Sequence, residues 1–439
     1  MKVYKFGGAS VKSAEGIRNI VKIVSGVDGH LFIVVSAMGK TTNAMEVVLD
    51  HFMKTDKVAS LTKLQEVEQY HAEIIGELFS HTALGFEAVK PLFDSLKNYI
   101  NTAIADDYDR CYDYLVSYGE LISTRIVSAF LQESGVVNAW LDMRKLLMTD
   151  SNHREANVRM DESKIRLKAA ANFDDARIYI GQGFIGSNLK GDPTTLGREG
   201  SDYTAAVVGN LLDAESVSIW KDVPGILNAD PRIFHNTVLI PELTYLDAVE
   251  LAYSGAQIIH PKTIKPLENK QIPLYVRPFG SPAEAGSVIK ASTTKPIDVP
   301  VLILRKNLVL VTIRPRDFSF VLEESLSKAF AVFNKHRLKI SLIQSSAISI
   351  SIGDGVELED GIAMVDEIAY AEGGSSKKEI GVELHSGRNR IVRRIFESLG
   401  YEVTKLDRMV FAGLTKKDLP RGRWRFLSEK EVNFLKMIK

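Results

Sequence analysis

The stretch LFIVVSA, residues 31–37, decides the fold class, because a near-continuous apolar run is typical of a strand buried on both faces. ARIYI (176–180), ESVSIWKDV (215–223) and IPLYVRPF (272–279) have the same character. Helical patterns lie between these strands, for example over residues 202–212. Strands that alternate with helices, without hairpin signals, predict an α/β domain with a mostly parallel sheet between helix layers.

The length and composition are those of an ordinary globular chain with more than one domain. Its 439 residues are too many for one ordinary domain, and 45% apolar and 25% charged residues are usual. No apolar run reaches the roughly 18–20 residues of a membrane helix, and MKVYKFGGAS (1–10) lacks the apolar core of a secretory signal. The single cysteine, Cys111, excludes an internal disulfide and indicates a cytoplasmic location. Buried filler is favoured over thiol catalysis for Cys111.

The charge of the chain is unevenly distributed, although its net value is zero. Residues 376–439 hold 16 Lys+Arg against 8 Asp+Glu, and GRNRIVRR (387–394) is the densest part. Such asymmetry suggests a nucleic-acid-binding segment beside a neutral or acidic enzyme. The alternative is a solvated basic helix whose apolar stripe packs inward.

Two familiar nucleotide motifs are incomplete. GQGFIG (181–186) matches the dinucleotide pattern GxGxxG after a strand, but no helix starts before Ser201 to hold a pyrophosphate. GKT (39–41) resembles the end of a phosphate-binding P-loop, but Val34 stands where that motif needs glycine. Both interpretations are therefore rejected.

Three loops of small residues are better phosphate candidates. KFGGAS (5–10) brings a lysine, two glycines and a hydroxyl together at the end of a strand, although a tight turn with an exposed lysine is an equal alternative. A second loop covers residues 36–39, and a third, TTLGREGSDYTAA (194–206), precedes a helix. Ligands of parallel sheets lie beyond the carboxyl ends of strands, so these loops suit a polyphosphate and an anionic acceptor. Phosphoryl transfer needs positioned cations more than a nucleophilic side chain.

Five motifs in order resemble the aspartokinase family, over residues 1 to about 350. They are KFGGAS, LVSYGELIST (115–124), FIGSN…TTLGREGSDYTAA (184–206), WKDVPGILNADPR (220–232) and SGAQIIHPKTIKPL (254–267). The resemblance implies an amino-acid kinase fold for the catalytic domain, residues 1–285. Residues 280–300 are rich in Gly, Pro, Ser and Thr, which predicts a linker over 286–306. The resemblance identifies the strand and helix pattern that follows, residues 307–352, as a truncated ACT-like βαββ regulatory unit.

The resemblance further implies a role for each site residue. Lys5 would stabilise the charge on the transferring phosphoryl group, and Asp202 would orient Lys5 and the Mg²⁺-bound phosphate. Glu120 would hold the α-ammonium group of aspartate, and Arg198 its α-carboxylate. The remaining residues would contact the nucleotide: Gly7, Gly8, Ser10 and Ser36 at its phosphates, and Lys221, Asp222 and Arg232 around ATP.

The implied reaction converts MgATP and L-aspartate to 4-phospho-L-aspartate and ADP, the first step of the lysine, threonine and methionine pathway. ATP and Mg²⁺ are the implied cofactors, without a protein-bound metal site. The substrate carboxylate is itself the nucleophile, which explains the absence of a catalytic base. A lysine or threonine effector and a homo-oligomer are further implications of the family.

Each central residue also has an ordinary structural interpretation. Glu120 could be a solvated helix residue, Arg198 a surface partner of Glu199, and Asp202 only a helix N-cap. Glu199 also departs from the family pattern, since glycine is common there. The five motifs together favour the kinase over these alternatives.

Residues 353–439 resemble the C-terminal end of RsuA/RluB-type ribosomal RNA pseudouridine synthases, with GRNRIVRR as the most specific match. The GRLD-type motif that carries that family's catalytic aspartate is missing, so we expect no pseudouridine synthesis. The alternative function is that of an RNA-binding or RNA-modifying protein, through the basic C-terminal tail. A helix over 389–399 and a strand over 401–406 would complete the truncated ACT-like sheet and form a small α+β tail.

Overall fold

The computed structural model describes residues 1–256, 259–294 and 297–303, and beyond them short elements and a few single residues. The chain divides into two compact units, Met1–Leu304 and Arg305–Lys439. The first unit contains these strands and helices in chain order: β1 (Lys2–Phe6), α1 (Ala14–Ser25), β2 (Leu31–Val35), α2 (Thr41–Met53), α3 (Lys57–Leu78), α4 (Thr82–Thr102), α5 (Tyr108–Glu133), β3 (Ala139–Leu141), α6 (Met160–Ala170), β4 (Ile178–Gln182), β5 (Ile185–Ser187), β6 (Pro193–Thr195), α7 (Gly200–Leu211), β7 (Ser216–Lys221), β8 (Glu242–Thr244), α8 (Tyr245–Ser254), α9 (Pro261–Glu268), β9 (Leu274–Pro278) and β10 (Ser287–Lys290). A short 3₁₀ helix, Met143–Lys145, follows β3.

The first unit is built on an eight-stranded sheet with the order β3-β4-β2-β1-β7-β9-β10-β8. The pairings of β1, β2, β3, β4, β7 and β9 with one another are all parallel, and β10 runs antiparallel to β9 and parallel to β8. All five residues of β2 are buried, as expected for an apolar strand at the centre of a parallel sheet. The predicted mostly parallel α/β fold is confirmed.

Local signals explain where several helices begin. Ser13 caps α1 by accepting a hydrogen bond from the Gly16 N–H at 3.3 Å. Helices α2 and α3 are separate, because Thr55 between them has a left-handed φ of 60° and Asp56 caps a new helix. Cys111 lies buried in α5, as predicted.

Two expectations about short strands are wrong. Strands β5 and β6 form an antiparallel hairpin, although no hairpin signal is present in the sequence. Strand β10 lies inside the predicted linker 286–306 and pairs with both β9 and β8. Its Ser287 and Ile289 are buried, so the sheet continues past residue 285 despite a composition rich in turn formers. The rest of the four-part domain division stays a prediction.

The second unit contains short described elements: β11 (Val309–Ile313), α10 (Glu323–Lys335), β12 (Leu342–Ser345), β13 (Ile350–Asp354), β14 (Glu367–Tyr370), β15 (Ile380–Glu383), β16 (Val410–Phe411) and β17 (Leu414–Thr415). Strands β11, β13 and β12 form an antiparallel sheet in that order, and β14 pairs with β15. The order strand, helix, strand, strand agrees with the predicted βαββ unit. The predicted helix 389–399 and strand 401–406 lie outside the described residues, apart from single positions. Among the described helices, none has both the length and the apolar character that crossing a bilayer requires.

Candidate active site

The predicted phosphate loops follow strands that end side by side. Phe6, the last residue of β1, pairs with Val35 of β2 and with Trp220 of β7. Val35 in turn pairs with Gln182, the last residue of β4. The loops after these strands therefore share one edge of the sheet, the carboxyl edge where ligands of parallel sheets bind.

A buried carboxylate lies between two ammonium groups at this edge. Lys5 Nζ is 2.6 Å from Asp202 Oδ1, and Lys221 Nζ is 3.3 Å from Asp202 Oδ2. The Asp202 side chain is only 5% exposed. Burial alone would raise the pKa of Asp202, but the charges and hydrogen bonds of Lys5 and Lys221 outweigh it and hold the pKa below its usual value. Asp202 is therefore ionised at neutral pH and fixes both lysines.

Asp202 lies in the first turn of α7 and is not its N-cap. Glu199 occupies the cap position, with a left-handed φ of 52°, and its carbonyl accepts the Asp202 N–H at 3.0 Å. Such a backbone conformation favours glycine, so Glu199 is strained at this position. At Gly183, a Cβ would lie 2.4 Å from Ser201 Cβ, so only glycine lets the end of β4 approach α7 this closely.

The two loops after β1 and β2 touch through their backbones. The Gly39 N–H donates to the Gly8 carbonyl at 3.0 Å, and a Cβ on Gly8 would lie 2.7 Å from the Ala37 carbonyl oxygen. A Cβ on Gly7 would lie 3.3 Å from Lys5 Nζ. The glycines thus keep space beside the Lys5 ammonium group, as a bound phosphate requires.

Ser10 and Ser36 help to fix these loops. Ser10 is buried, and its N–H donates to the Gly7 carbonyl at 2.9 Å. The Ser36 carbonyl accepts a hydrogen bond from Ser123 Oγ of α5 at 2.7 Å. Helix α5 is thereby joined to the loop after β2.

Glu120 projects from α5 into the same region. It is 3% exposed, so the solvated interpretation is wrong. Its Oε1 accepts the Ala37 N–H at 3.3 Å, while Oε2 has no hydrogen-bond partner among the described residues. Burial raises the pKa of Glu120 to about 8, although the Ala37 N–H and the Lys5 charge oppose the shift. A buried acceptor without a partner is suited to a ligand that carries a donor.

The other predicted site residues lie at the surface. Arg198 is exposed in the loop before α7, and Glu199 is not its partner, because Glu199 Oε2 accepts the His260 N–H at 2.9 Å. Asp222 is exposed after β7. Arg232 is exposed and forms a two-pronged ion pair with the Asp230 carboxylate, with hydrogen bonds of 3.0 and 2.8 Å.

The link between Lys221 and Asp202 was not predicted, because the family resemblance placed Lys221 only at the nucleotide. The signal was present in the sequence: Lys221 ends a buried strand that neighbours β1. A lysine at that end of an adjacent parallel strand is expected near Lys5.

Paired ammonium groups, a buried organising carboxylate and glycine loops at a carboxyl edge define a phosphoryl-transfer site. The amino acid kinase family model matches residues 1–278. The chain therefore belongs to the amino acid kinase family, and its curated relatives include aspartokinases.

Lysine-sensitive aspartokinase 3 of Escherichia coli (strain K12) is 30% identical over 353 residues, which cover 80% of this chain and 77% of that protein. Chloroplastic aspartokinase 1 of Arabidopsis thaliana is 31% identical over 362 residues, which cover 80% of this chain and 62% of that protein. The chain thus spans between three fifths and four fifths of these relatives.

Solved structures that resemble this chain also include an aspartokinase. E. coli aspartokinase III in complex with aspartate and ADP (R-state) matches with a TM-score of 0.69 and 30% identity, over 81% of this chain and 78% of that one. The complex of the same enzyme with lysine and aspartate (T-state) matches with a TM-score of 0.70 and 29% identity, over 81% and 79%. The predicted kinase class is confirmed. These matches give no support to the RNA-binding alternative or to the pseudouridine-synthase resemblance of residues 353–439.

Proposed function

We propose that this chain transfers the γ-phosphoryl group of MgATP to the side-chain carboxylate of L-aspartate. A carboxylate oxygen forms a bond to the γ-phosphorus, the bond to the bridging oxygen of ADP breaks, and ADP leaves with the electron pair. The products are 4-phospho-L-aspartate and ADP. No proton is removed from the nucleophile, so positioned cations are the main requirement of the site.

The Lys5–Asp202–Lys221 cluster carries this proposal. Negative charge on the phosphoryl oxygens needs fixed cations that do not rearrange during the reaction. Asp202 holds Lys5 at 2.6 Å and Lys221 at 3.3 Å in a buried position, so both ammonium groups are pre-positioned. Lys5 stabilises the transferring group, and Lys221 extends the positive charge toward the nucleotide.

Glu120 and Arg198 are the proposed aspartate contacts. Glu120 Oε2, which has no partner among the residues that the structure describes, accepts the α-ammonium group, and the arrival of that charge favours the ionised carboxylate despite burial. Arg198 binds the α-carboxylate with its planar fork, which matches the two carboxylate oxygens. Its exposed position in the loop before α7 leaves the guanidinium group accessible to a ligand.

The remaining predicted residues surround the nucleotide in this proposal. Gly7, Gly8, Ser10 and Ser36 lie in the two joined loops beside Lys5, and Asp222 and Arg232 follow β7. The described residues contain no group of three or more potential metal ligands. Since Mg²⁺ is commonly held by nucleotide phosphates with few protein carboxylates, we propose that it enters with ATP. Bound Mg²⁺ supplies further charge stabilisation.

Regulation by lysine is a separate proposal. The T-state complex of the E. coli enzyme contains lysine together with aspartate, and the second unit here contains the βαββ order. Initial rates with and without added lysine test it directly. The homo-oligomer and the cytoplasmic location stay predictions.

The decisive experiment measures ADP release with MgATP, with and without L-aspartate, and traps the acyl phosphate as a hydroxamate. We expect turnover that requires L-aspartate and that falls by about 10²–10³ in Lys5→Ala. Lys2→Ala, on the same strand β1 and away from Asp202, is the matched control and should keep the wild-type rate. Folded protein without aspartate-dependent turnover would overturn the proposal.

A further inference from the structure

A second buried carboxylate, Asp113, has no part in the reaction proposed above. It lies in α5 with no exposed surface, seven residues before Glu120. Seven residues are about two helical turns, so both carboxylates lie on one side of α5, roughly 10 Å apart along its axis. A buried carboxylate needs several partners to be retained there.

All hydrogen-bond partners of the Asp113 carboxylate come from two other segments of the described chain. Oδ1 accepts a hydrogen bond from Thr195 Oγ1 at 2.6 Å, and Oδ2 lies 2.7 Å from His153 Nδ1. The Arg154 N–H points at both oxygens, at 3.2 and 3.1 Å. Among the described residues, no lysine or arginine side chain forms an ion pair with Asp113. The negative charge of Asp113 is therefore stabilised by the dipoles of its hydrogen-bond donors and by one imidazole.

The two segments are also joined to each other, and two of their residues have left-handed backbone conformations. Arg154 has a φ of 67°, which is strained for a residue with a side chain, and Asp113 binds its N–H. The Ala156 N–H donates to the Thr195 carbonyl at 2.9 Å. Gly197 has a φ of 75°, and a Cβ there would lie 3.2 Å from the Arg154 carbonyl oxygen. The end of β6 and the two residues after it are thus held against Arg154 and Ala156.

The contacts of Asp113 hold the segment that immediately precedes Arg198. Thr195, which donates to Asp113, is the last residue of β6 and precedes Arg198 by only three residues. Through this hydrogen bond, Asp113 connects the end of β6 to α5, the helix that carries Glu120. Its carboxylate therefore connects the two proposed contacts of the substrate.

We infer that Asp113 is a positioning residue that sets the Arg198 loop relative to Glu120, and so fixes how the α-carboxylate of aspartate is recognised. The inference rests on the proposed function, because it needs Arg198 at the α-carboxylate. It adds Thr195 and His153 as the residues through which Asp113 acts. Asp113 does not contact the substrate.

The test compares L-aspartate with L-aspartate α-amide, which lacks the α-carboxylate charge and is measured as a substrate or as a competitive inhibitor. Asp113→Asn and Thr195→Val should raise the KM for L-aspartate by about 10-fold, the scale of one lost hydrogen bond to a charged group. The KM for ATP and the binding of the α-amide should stay near their wild-type values.

The control is Asn138→Ala, which removes buried hydrogen bonds between Asn138 and Ser128 near the far end of the same helix. It should lower thermal stability without changing the preference for L-aspartate over the amide. If Asp113→Asn does not fold, Thr195→Val decides the question, because it keeps the carboxylate with its other partners.

Two results would overturn the inference. One is an equal loss for L-aspartate and its α-amide, which indicates a general structural role. The other concerns the double variant of Asp113→Asn and Thr195→Val. Substitutions that break the same contact should have non-additive effects, so additive increases in the KM for L-aspartate would contradict the inference. Failure of the proposed function itself is recognised separately, since the wild-type chain would then lack aspartate-dependent turnover.

Discussion

The protonation of Glu120 should control how well the protein uses L-aspartate. Burial raises the pKa of this carboxyl to about 8, and its Oε2 has no partner among the described residues. The proposed contact with the α-ammonium group requires the ionised form. We therefore expect kcat/KM for L-aspartate to rise as the pH increases from 6 to 8, because this ratio reports groups of the free enzyme.

The size of the effect follows from the pKa. With a pKa of about 8, the ionised fraction is about 1% at pH 6, about 10% at pH 7 and about 50% at pH 8. The ratio kcat/KM should therefore increase by about 50-fold over this range. Most of the change should be in KM, because bound substrate brings a positive charge that keeps Glu120 ionised.

Initial rates of ADP release at saturating MgATP, between pH 6 and pH 9, measure this profile. Glu120→Gln has no titrating group at that position, so it should show a low kcat/KM and lose the rise. The ionisation of ATP affects the pH profiles of the wild type and of Glu120→Gln alike. Dividing the wild-type kcat/KM by that of Glu120→Gln at each pH therefore leaves the contribution of Glu120. The reasoning is refuted if the wild-type profile is flat, or if the same rise persists in Glu120→Gln.

Three further predictions concern Lys5, Gly8 and His71. Lys5→Ala should lower kcat by about 10²–10³, the scale for one pre-positioned donor, and unchanged steady-state turnover would remove Lys5 from the mechanism. Gly8→Ala places a Cβ 2.7 Å from the Ala37 carbonyl oxygen, so thermal melting should show a loss of about 1–3 kcal/mol, whereas Gly76→Ala, with open space around it, should not. Burial lowers the pKa of His71 to about 4, so only the unfolded chain binds this proton between about pH 6.5 and 4. The free energy of unfolding should therefore fall by about 3 kcal/mol as the pH drops through that window; denaturant titrations of His71→Leu should lack this component.

The strands that could be predicted from the sequence are those whose own residues decide their burial. LFIVV in β2 is apolar at every position, and its five residues are all buried. Strand β10 has only four residues, SVIK, and depends on partners elsewhere in the chain. Its Ser287 Oγ donates to the Ile240 carbonyl at 2.6 Å and accepts the Ile226 N–H at 2.8 Å. Such tertiary contacts leave no periodic signal, so composition alone assigned this segment to a linker.

Only some of the buried polar residues discussed above could be predicted from the sequence, for a similar reason. Family motifs predicted Lys5, Glu120 and Asp202 as site residues; the structure shows all three buried, and their roles stay predictions. Asp113 was missed, because one acidic residue in a helical pattern has no local mark of burial. Its two side-chain partners are 82 and 40 residues away in sequence, so only the folded chain brings them together.

The carboxylates of Glu120 and Asp202, both influenced by the charge of Lys5, show how environment separates their roles. Glu120 and Asp202 are both buried, and burial acts on both in the same direction. Asp202 has two ammonium groups within 3.3 Å and stays ionised, so its charge is used to hold Lys5 and Lys221. Among the described residues, one backbone donor from outside its own helix contacts Glu120, and its raised pKa of about 8 leaves it mostly protonated at neutral pH. A carboxylate that is already paired with fixed cations organises the site, whereas a buried carboxylate without such a cation is suited to recognise a positively charged substrate group.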